Sequence, residues 1–93
     1  MDVREAVIKA KAYLAELYLD ENISNVGLEE IERDDQTNTW NITIGFSRPW
    51  DEPRNPFAVL TKQMPVLKRS YKLVRVDDET GKILSVKNRD VLG

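Results

Sequence analysis

Cysteine and histidine are both absent from this 93-residue chain. Without cysteine there is no disulfide framework, no thiolate nucleophile, no zinc–thiolate site and no iron–sulfur cluster. Without histidine there is no imidazole general base, no Ser–His or Cys–His pair and no histidine metal ligand. Most hydrolase and redox chemistry relies on one of these groups. The composition therefore argues against catalysis and implies no cofactor and no metal. A carboxylate-only enzyme of the glycosidase type needs just two acids, but nothing in the sequence places two of them in a common apolar cleft.

Long hydrophobic runs are missing too. No apolar stretch approaches the ~20 residues needed to span a bilayer. The opening residues, Met1-Asp2-Val3-Arg4-Glu5, lack the basic and apolar regions of a secretory signal. The reading is a cytoplasmic chain that engages no membrane. In that compartment the glycosylation tripeptide Asn22-Ile23-Ser24 carries no weight.

What is present is a chain with 41% hydrophobic and 32% charged residues. That length and content fit one small folded domain covering residues 1–93, with a single modest core. The net charge of -2 gives no overall attraction for nucleic acid. It conceals an asymmetry. Residues 1–47 carry 10 acids and 4 bases, whereas residues 48–93 carry 6 acids and 10 bases.

The pattern along the chain predicts a helix first. Val3, Val7, Ala10, Leu14 and Leu17 recur at helical spacing, and no glycine or proline interrupts residues 2–21. Asp2 is placed to cap it, with Glu5 three residues on, as an acidic capping box requires. After a connection at Asn22 to Gly27, a strand is expected at about Val26 to Asp34, then a polar turn at residues 35–38. Trp40, Ile42, Ile44 and Phe46 alternate with Asn41, Thr43 and Gly45, the period-2 pattern of a strand with one buried face.

From Ser47 to Lys68 the chain changes character. All four prolines, Pro49, Pro53, Pro56 and Pro65, fall in this excursion, beside Trp50, Phe57, Leu60 and Met64. Asn55-Pro56 is placed to start a short helix running to about Gln63. Loops of this length in small domains are often binding elements or disordered segments. Two further strands follow, Tyr71 to Val76 and Ile83 to Val86. Gly81, in the turn Asp77-Asp78-Glu79-Thr80-Gly81-Lys82 between them, supplies the positive φ of a tight hairpin. Apolar residues at both parities in these strands imply a bulge, or cover on the second face by a loop or a partner chain. The expected architecture is α+β: one N-terminal helix packed on a four-stranded antiparallel sheet, order α-β-β-long loop-β-β, in a two-layer sandwich.

The segment Tyr71-Lys72-Leu73-Val74-Arg75-Val76-Asp77-Asp78-Glu79-Thr80-Gly81-Lys82-Ile83-Leu84 resembles the signature of PepSY-like domains and the wider cystatin-like group: a hydrophobic strand, an acidic turn ending in Thr-Gly-Lys, and another strand. Residues 40–44 resemble the strand that precedes it in those domains, and residues 6–17 their helix. The resemblance implies a non-catalytic module that binds or inhibits a partner, often a peptidase, and it carries over no catalytic residue.

Three charge patterns bear on partners. Asp77, Asp78 and Glu79 are adjacent, but Gly81 and Asn88 fall where a calcium loop counted from Asp77 requires other residues, so the triplet reads as a solvated turn. Glu30, Glu32 and Asp34 share a strand face, opposite Glu29 and Ile31, an acidic surface suited to a basic partner. Arg48, Arg54, Lys62, Lys68, Arg69, Lys72 and Arg75 are interleaved with Trp50, Phe57 and Tyr71, a mixture that can bind single strands. Asp51 and Glu52 interrupt it, and no phosphate loop accompanies it, which argues against nucleic acid. Tryptophan and arginine are the residue types of interaction hot spots, so Arg48, Trp50, Arg54, Phe57 and Met64 are the candidate partner-binding residues, with Glu30 and Glu32 on the acidic side. The leading expectation is a module acting through protein–protein contact, a homodimer included. The alternative is an immunity-type or peptidase-inhibitor protein that neutralises an enzyme through its acidic face.

Overall fold

A computed structural model describes residues 1–49 and 69–89. One helix, α1 (Val3–Leu17), is followed by a short 3-10 turn at Leu19–Glu21 and by four strands: β1 (Ser24–Asp34), β2 (Thr39–Ser47), β3 (Ser70–Asp77) and β4 (Ile83–Asn88). The strands form one antiparallel sheet in the order β1-β2-β3-β4, a simple meander. This is the predicted α+β arrangement of one helix on four antiparallel strands. None of the helices described is long and apolar enough to cross a membrane.

The cap at the start of α1 forms as the sequence implies: the Asp2 carboxylate accepts the Glu5 amide at 2.8 Å, satisfying one of the four otherwise unpaired N–H groups of the first turn. The helix ends at Leu17, and the 3-10 turn carries the chain on to Glu21. Asn22 then adopts a left-handed backbone (φ 51), a conformation that asparagine tolerates better than most residues, and the chain enters β1 at Ser24, earlier than expected.

The buried stripe of α1 is Ala6, Ala10 and Leu14, a four-residue spacing. Val3 and Leu17, expected at its two ends, stay 46% and 52% exposed. Small side chains at 6 and 10 let the helix lie close to the sheet, where it meets Ile42, Ile44, Val74 and Val76. Cross-strand pairing stacks these residues: Ile42 opposes Val74, and Ile31 of β1 and Val86 of β4 extend the same row outward. Phe46 is also fully buried. Burying each of the larger core side chains contributes roughly 1.5–3 kcal/mol.

Two bulges reconcile the sequence pattern with this face. In β1 the register shifts between Leu28 and Glu30, so Leu28 opposes Ile44 while Glu30 opposes Thr43. Leu28 and Ile31 thereby share the helix side of the sheet although three residues separate them. A second shift between Arg75 and Val76 in the β3–β4 ladder absorbs the double parity of apolar residues there.

The β3–β4 turn is built from its own side chains. The Asp77 carboxylate accepts the Thr80 hydroxyl at 2.7 Å and the Glu79 amide at 3.3 Å, while Gly81 takes φ 72. A Cβ there would lie 2.7 Å from the Lys9 side chain, in a backbone conformation that costs other residues about 1–2 kcal/mol. The Asp78 amide donates to the Asn38 carbonyl at 2.9 Å, which ties this turn to the β1–β2 turn. The Asp78 carboxylate accepts the Trp40 indole N–H at 2.8 Å and pairs with Arg33 at 2.9 Å and with the Met1 α-ammonium at 3.4 Å.

These donors, Arg33 first and then the Trp40 indole, hold the Asp78 carboxyl down at about 2 against an ordinary 3.8, and Asp78 in turn raises the Arg33 guanidinium. A carboxyl depressed in the folded state stabilises the fold above its unfolded value and loses that contribution as pH falls through the folded one. Asp78→Asn should therefore lower the melting temperature at pH 7, and the deficit relative to the parent chain should shrink between about pH 4 and pH 2. Thermal melts of both chains across that range read the difference directly; a deficit of constant size would show that the charge on Asp78 is not what stabilises.

Candidate functional site

The end of the sheet opposite Asp78 collects positive charge. Arg48 leaves the end of β2, Arg69 precedes β3, Lys72 lies in the first turn of that strand's ladder, and Arg89 follows β4. Together they line a cleft of about 420 Å³, with Ser70, Tyr71 and Asn88 supplying polar groups between them. The β2–β3 and β3–β4 pairings force this convergence: Gly45 opposes Tyr71, Lys72 opposes Asn88, and the Arg89 amide continues the ladder to the Tyr71 carbonyl at 3.0 Å.

Each cation is held in place. The Tyr18 ring, carried past the end of α1, packs on Phe46 with centroids 5.3 Å apart. The Arg48 guanidinium lies over both rings, at 5.3 Å and 5.6 Å, and the Lys72 ammonium lies 5.7 Å from the Tyr18 centroid. Such cation–ring contacts are worth about 0.5–1 kcal/mol at exposed sites. Arg48 also approaches Glu21 at 3.7 Å. Lys72 donates to the Asn88 side chain. On the sheet face away from the helix, Arg69 pairs with Glu29 at 3.2 Å and donates to the Asn25 carbonyl at 2.9 Å. Gly45 makes room for that pair, since a Cβ there would sit 2.7 Å from the Glu29 carboxylate and 3.0 Å from Arg69. Arg89 pairs with Glu30 at 2.9 Å and donates to the buried Thr43 hydroxyl at 3.1 Å.

Several predicted residues fall into this arrangement, and others do not. Arg48 is part of the cleft. Glu30 borders it through Arg89. Glu32 opposes Asn41 on the same face as Glu30 and has no ion pair among the described residues. The expectation that Glu29 lies opposite Glu30 is corrected by the β1 bulge, which brings both carboxylates to the cationic side. The acidic and basic runs, separate in sequence, thus meet as Glu29–Arg69 and Glu30–Arg89. Partly exposed pairs of this kind contribute about 0–1 kcal/mol each, so they position side chains more than they stabilise. Trp50, Arg54, Phe57 and Met64, and the short helix expected at Asn55 to Gln63, lie outside the described residues. Arg89 is the residue that sequence reasoning missed. Its only sequence signal is its place directly after a strand whose register faces Lys72.

Among the described residues, no group of three or more carboxylates stands together as a metal set. Asp77 serves its own turn and Asp78 the contacts described above. No family model matches this chain, and no curated protein or solved structure matches it.

The Tyr18 ring is the element that orders the helix side of the cleft. Tyr18→Leu keeps apolar volume against Phe46 but removes the ring that Arg48 and Lys72 face. The expected loss is about 1–2 kcal/mol in urea unfolding with an unchanged slope. An unaltered midpoint would mean the ring contacts contribute nothing.

Proposed function

We propose that this chain is a non-catalytic binding module that acts through protein–protein contact, as the resemblance to PepSY-like and cystatin-like domains also implies. One observation carries the reading. Among the described residues, eight large hydrophobic side chains remain exposed, as many as the eight hydrophobic residues that form the buried core. Five of the exposed eight lie on α1 or the turn after it: Val3, Ile8, Tyr13, Leu17 and Leu19, the last 74% exposed. Tyr13 and Leu17 line a groove of about 320 Å³ with Glu16. Single exposed apolar residues are ordinary on protein surfaces, but Tyr13 and Leu17 lie one helical turn apart and line one groove, and that grouping supports an interaction surface.

The paired variant Leu17→Ser/Leu19→Ser tests this. It removes exposed apolar area without touching the core, so circular dichroism should be unchanged. Affinity for a partner isolated with the parent chain, or self-association measured by light scattering, should fall by about tenfold or more. Unaltered affinity in a folded variant would remove α1 from the contact.

The exposed carboxylate of Glu32, on the sheet face away from the helix, favours a second reading: an immunity-type or inhibitor protein that steers a basic enzyme onto β1. Glu32→Lys should then slow association, with the difference vanishing at high salt. Association rates indifferent to both would leave the apolar surface as the sole contact.

A further inference from the structure

We propose that α1 pairs antiparallel with α1 of a second copy of this chain, through the helix face turned away from the sheet, an inference that rests on the binding-module reading and names its partner. With about 3.6 residues per turn, Ile8, Ala12 and Ala15 lie on the side of α1 opposite the buried Ala6, Ala10 and Leu14. Leu19 continues the row in the 3-10 turn. All four are exposed, Ile8 by 59%. The outer side of a surface helix is ordinarily polar. Here it carries a second apolar row, spaced four, three and four residues apart.

The order of side chains in that row points to a second copy as the occupant. It runs large, small, small, large, and so reads the same in both directions. Laid antiparallel on itself, the row sets Ile8 against Leu19 of the second copy and Ala12 against Ala15 of the second copy. A two-fold axis between the helices makes each contact occur twice. Alanine at the centre lets the two helices approach closely, while Ile8 and Leu19 fill the ends.

Charge favours the same arrangement. In the antiparallel register Lys9 comes beside Glu16 of the second copy, and Glu16 beside Lys9, on one flank of the apolar row. Neither residue forms an ion pair among the described residues, so both charges can serve the contact. The other flank brings Lys11 to Tyr18, with no like charges opposed. A parallel pair would instead set Lys9 beside Arg4 of the second copy and align the two helix dipoles. One helix pair of 15 residues covers less than the roughly 1,200–2,000 Å² of a stable interface, so association is weak and reversible.

Sedimentation equilibrium of the full chain from about 10 μM to about 1 mM tests this. The mass should rise with concentration from that of one chain toward that of two. Ala12→Glu, an exposed change to another good helix former, should weaken association by about tenfold or more with circular dichroism unchanged. Lys9→Glu and Glu16→Lys should each weaken it at low salt by about threefold or more, and Lys9→Glu/Glu16→Lys should restore it. Along one helix the two residues stand about 10 Å apart, too far for a direct pair, so restoration reports contact between copies. That exchange also carries the test should Ala12→Glu unfold. A chain that stays monomeric at about 1 mM, association indifferent to a folded Ala12→Glu, or a double exchange no better than the single ones would overturn the proposal. Strengthening by Lys9→Glu alone would overturn it as well, because it marks a parallel pair. A monomeric chain whose Leu17→Ser/Leu19→Ser variant still loses affinity for a partner isolated with the parent would leave the binding-module reading standing, so the two fail separately.

Discussion

The Asp78 carboxylate is the contact on which the rest of this small domain depends. It sits in the β3–β4 turn, yet its partners come from β1 through Arg33, from β2 through the Trp40 indole, and from the α-ammonium of Met1, two residues before α1. With the Asp78 amide bonded to Asn38, one residue joins both hairpins and the start of the helix. A sheet of four short strands under one helix has little core to spare, and its eight buried hydrophobic residues are drawn from only three elements. A charged, multiply bonded tie at one end fixes how the helix crosses the sheet, and the alanine stripe then brings it close enough to bury Ile42, Ile44, Val74 and Val76.

Fixing one end by a carboxylate has a counterpart at the other, where guanidinium groups gather. The same strand registers that align the core rows also set Arg48, Arg69, Lys72 and Arg89 around a common cleft. There the resident acids are Glu21, Glu29 and Glu30, each paired with an arginine across elements. The two ends differ in how their charges are used. At Asp78 one carboxylate meets an excess of donors. At the cleft each arginine is held by a glutamate and Lys72 by Asn88.

Much of this fold was legible in the sequence because the responsible signals are local. Asp2 capping through the Glu5 amide, the alternation of Trp40 to Phe46 and the positive φ of Gly81 each involve a few neighbouring residues, and each appears in the structure. The helix face was read less well. Of the five apolar residues in the expected stripe, Ala10 and Leu14 are buried and Val7 packs against the core, but Val3 and Leu17 at its ends stay exposed, and the third buried position is Ala6, whose small side chain admits a closer helix. No local pattern distinguishes a residue that could be buried from one that is. The bulge at Glu29 was likewise invisible: it is fixed by pairing with β2, and one extra residue turns a carboxylate to the opposite face. The cationic cleft depends on three registers at once, so Arg89 carried no mark of its own, whereas Arg48 was singled out for its residue type. The candidates Trp50, Arg54, Phe57 and Met64 lie outside the described residues.

A double-mutant cycle between Trp40 and Asp78 tests the central claim most directly. Trp40→Phe removes the indole donor and keeps an aromatic ring against the core, while Asp78→Asn removes the charge. If the carboxylate is the shared tie, urea unfolding of the double variant will show less destabilisation than the two single losses added together. Strictly additive losses would show that Trp40 and Asp78 act separately, and that the fold does not hinge on this contact.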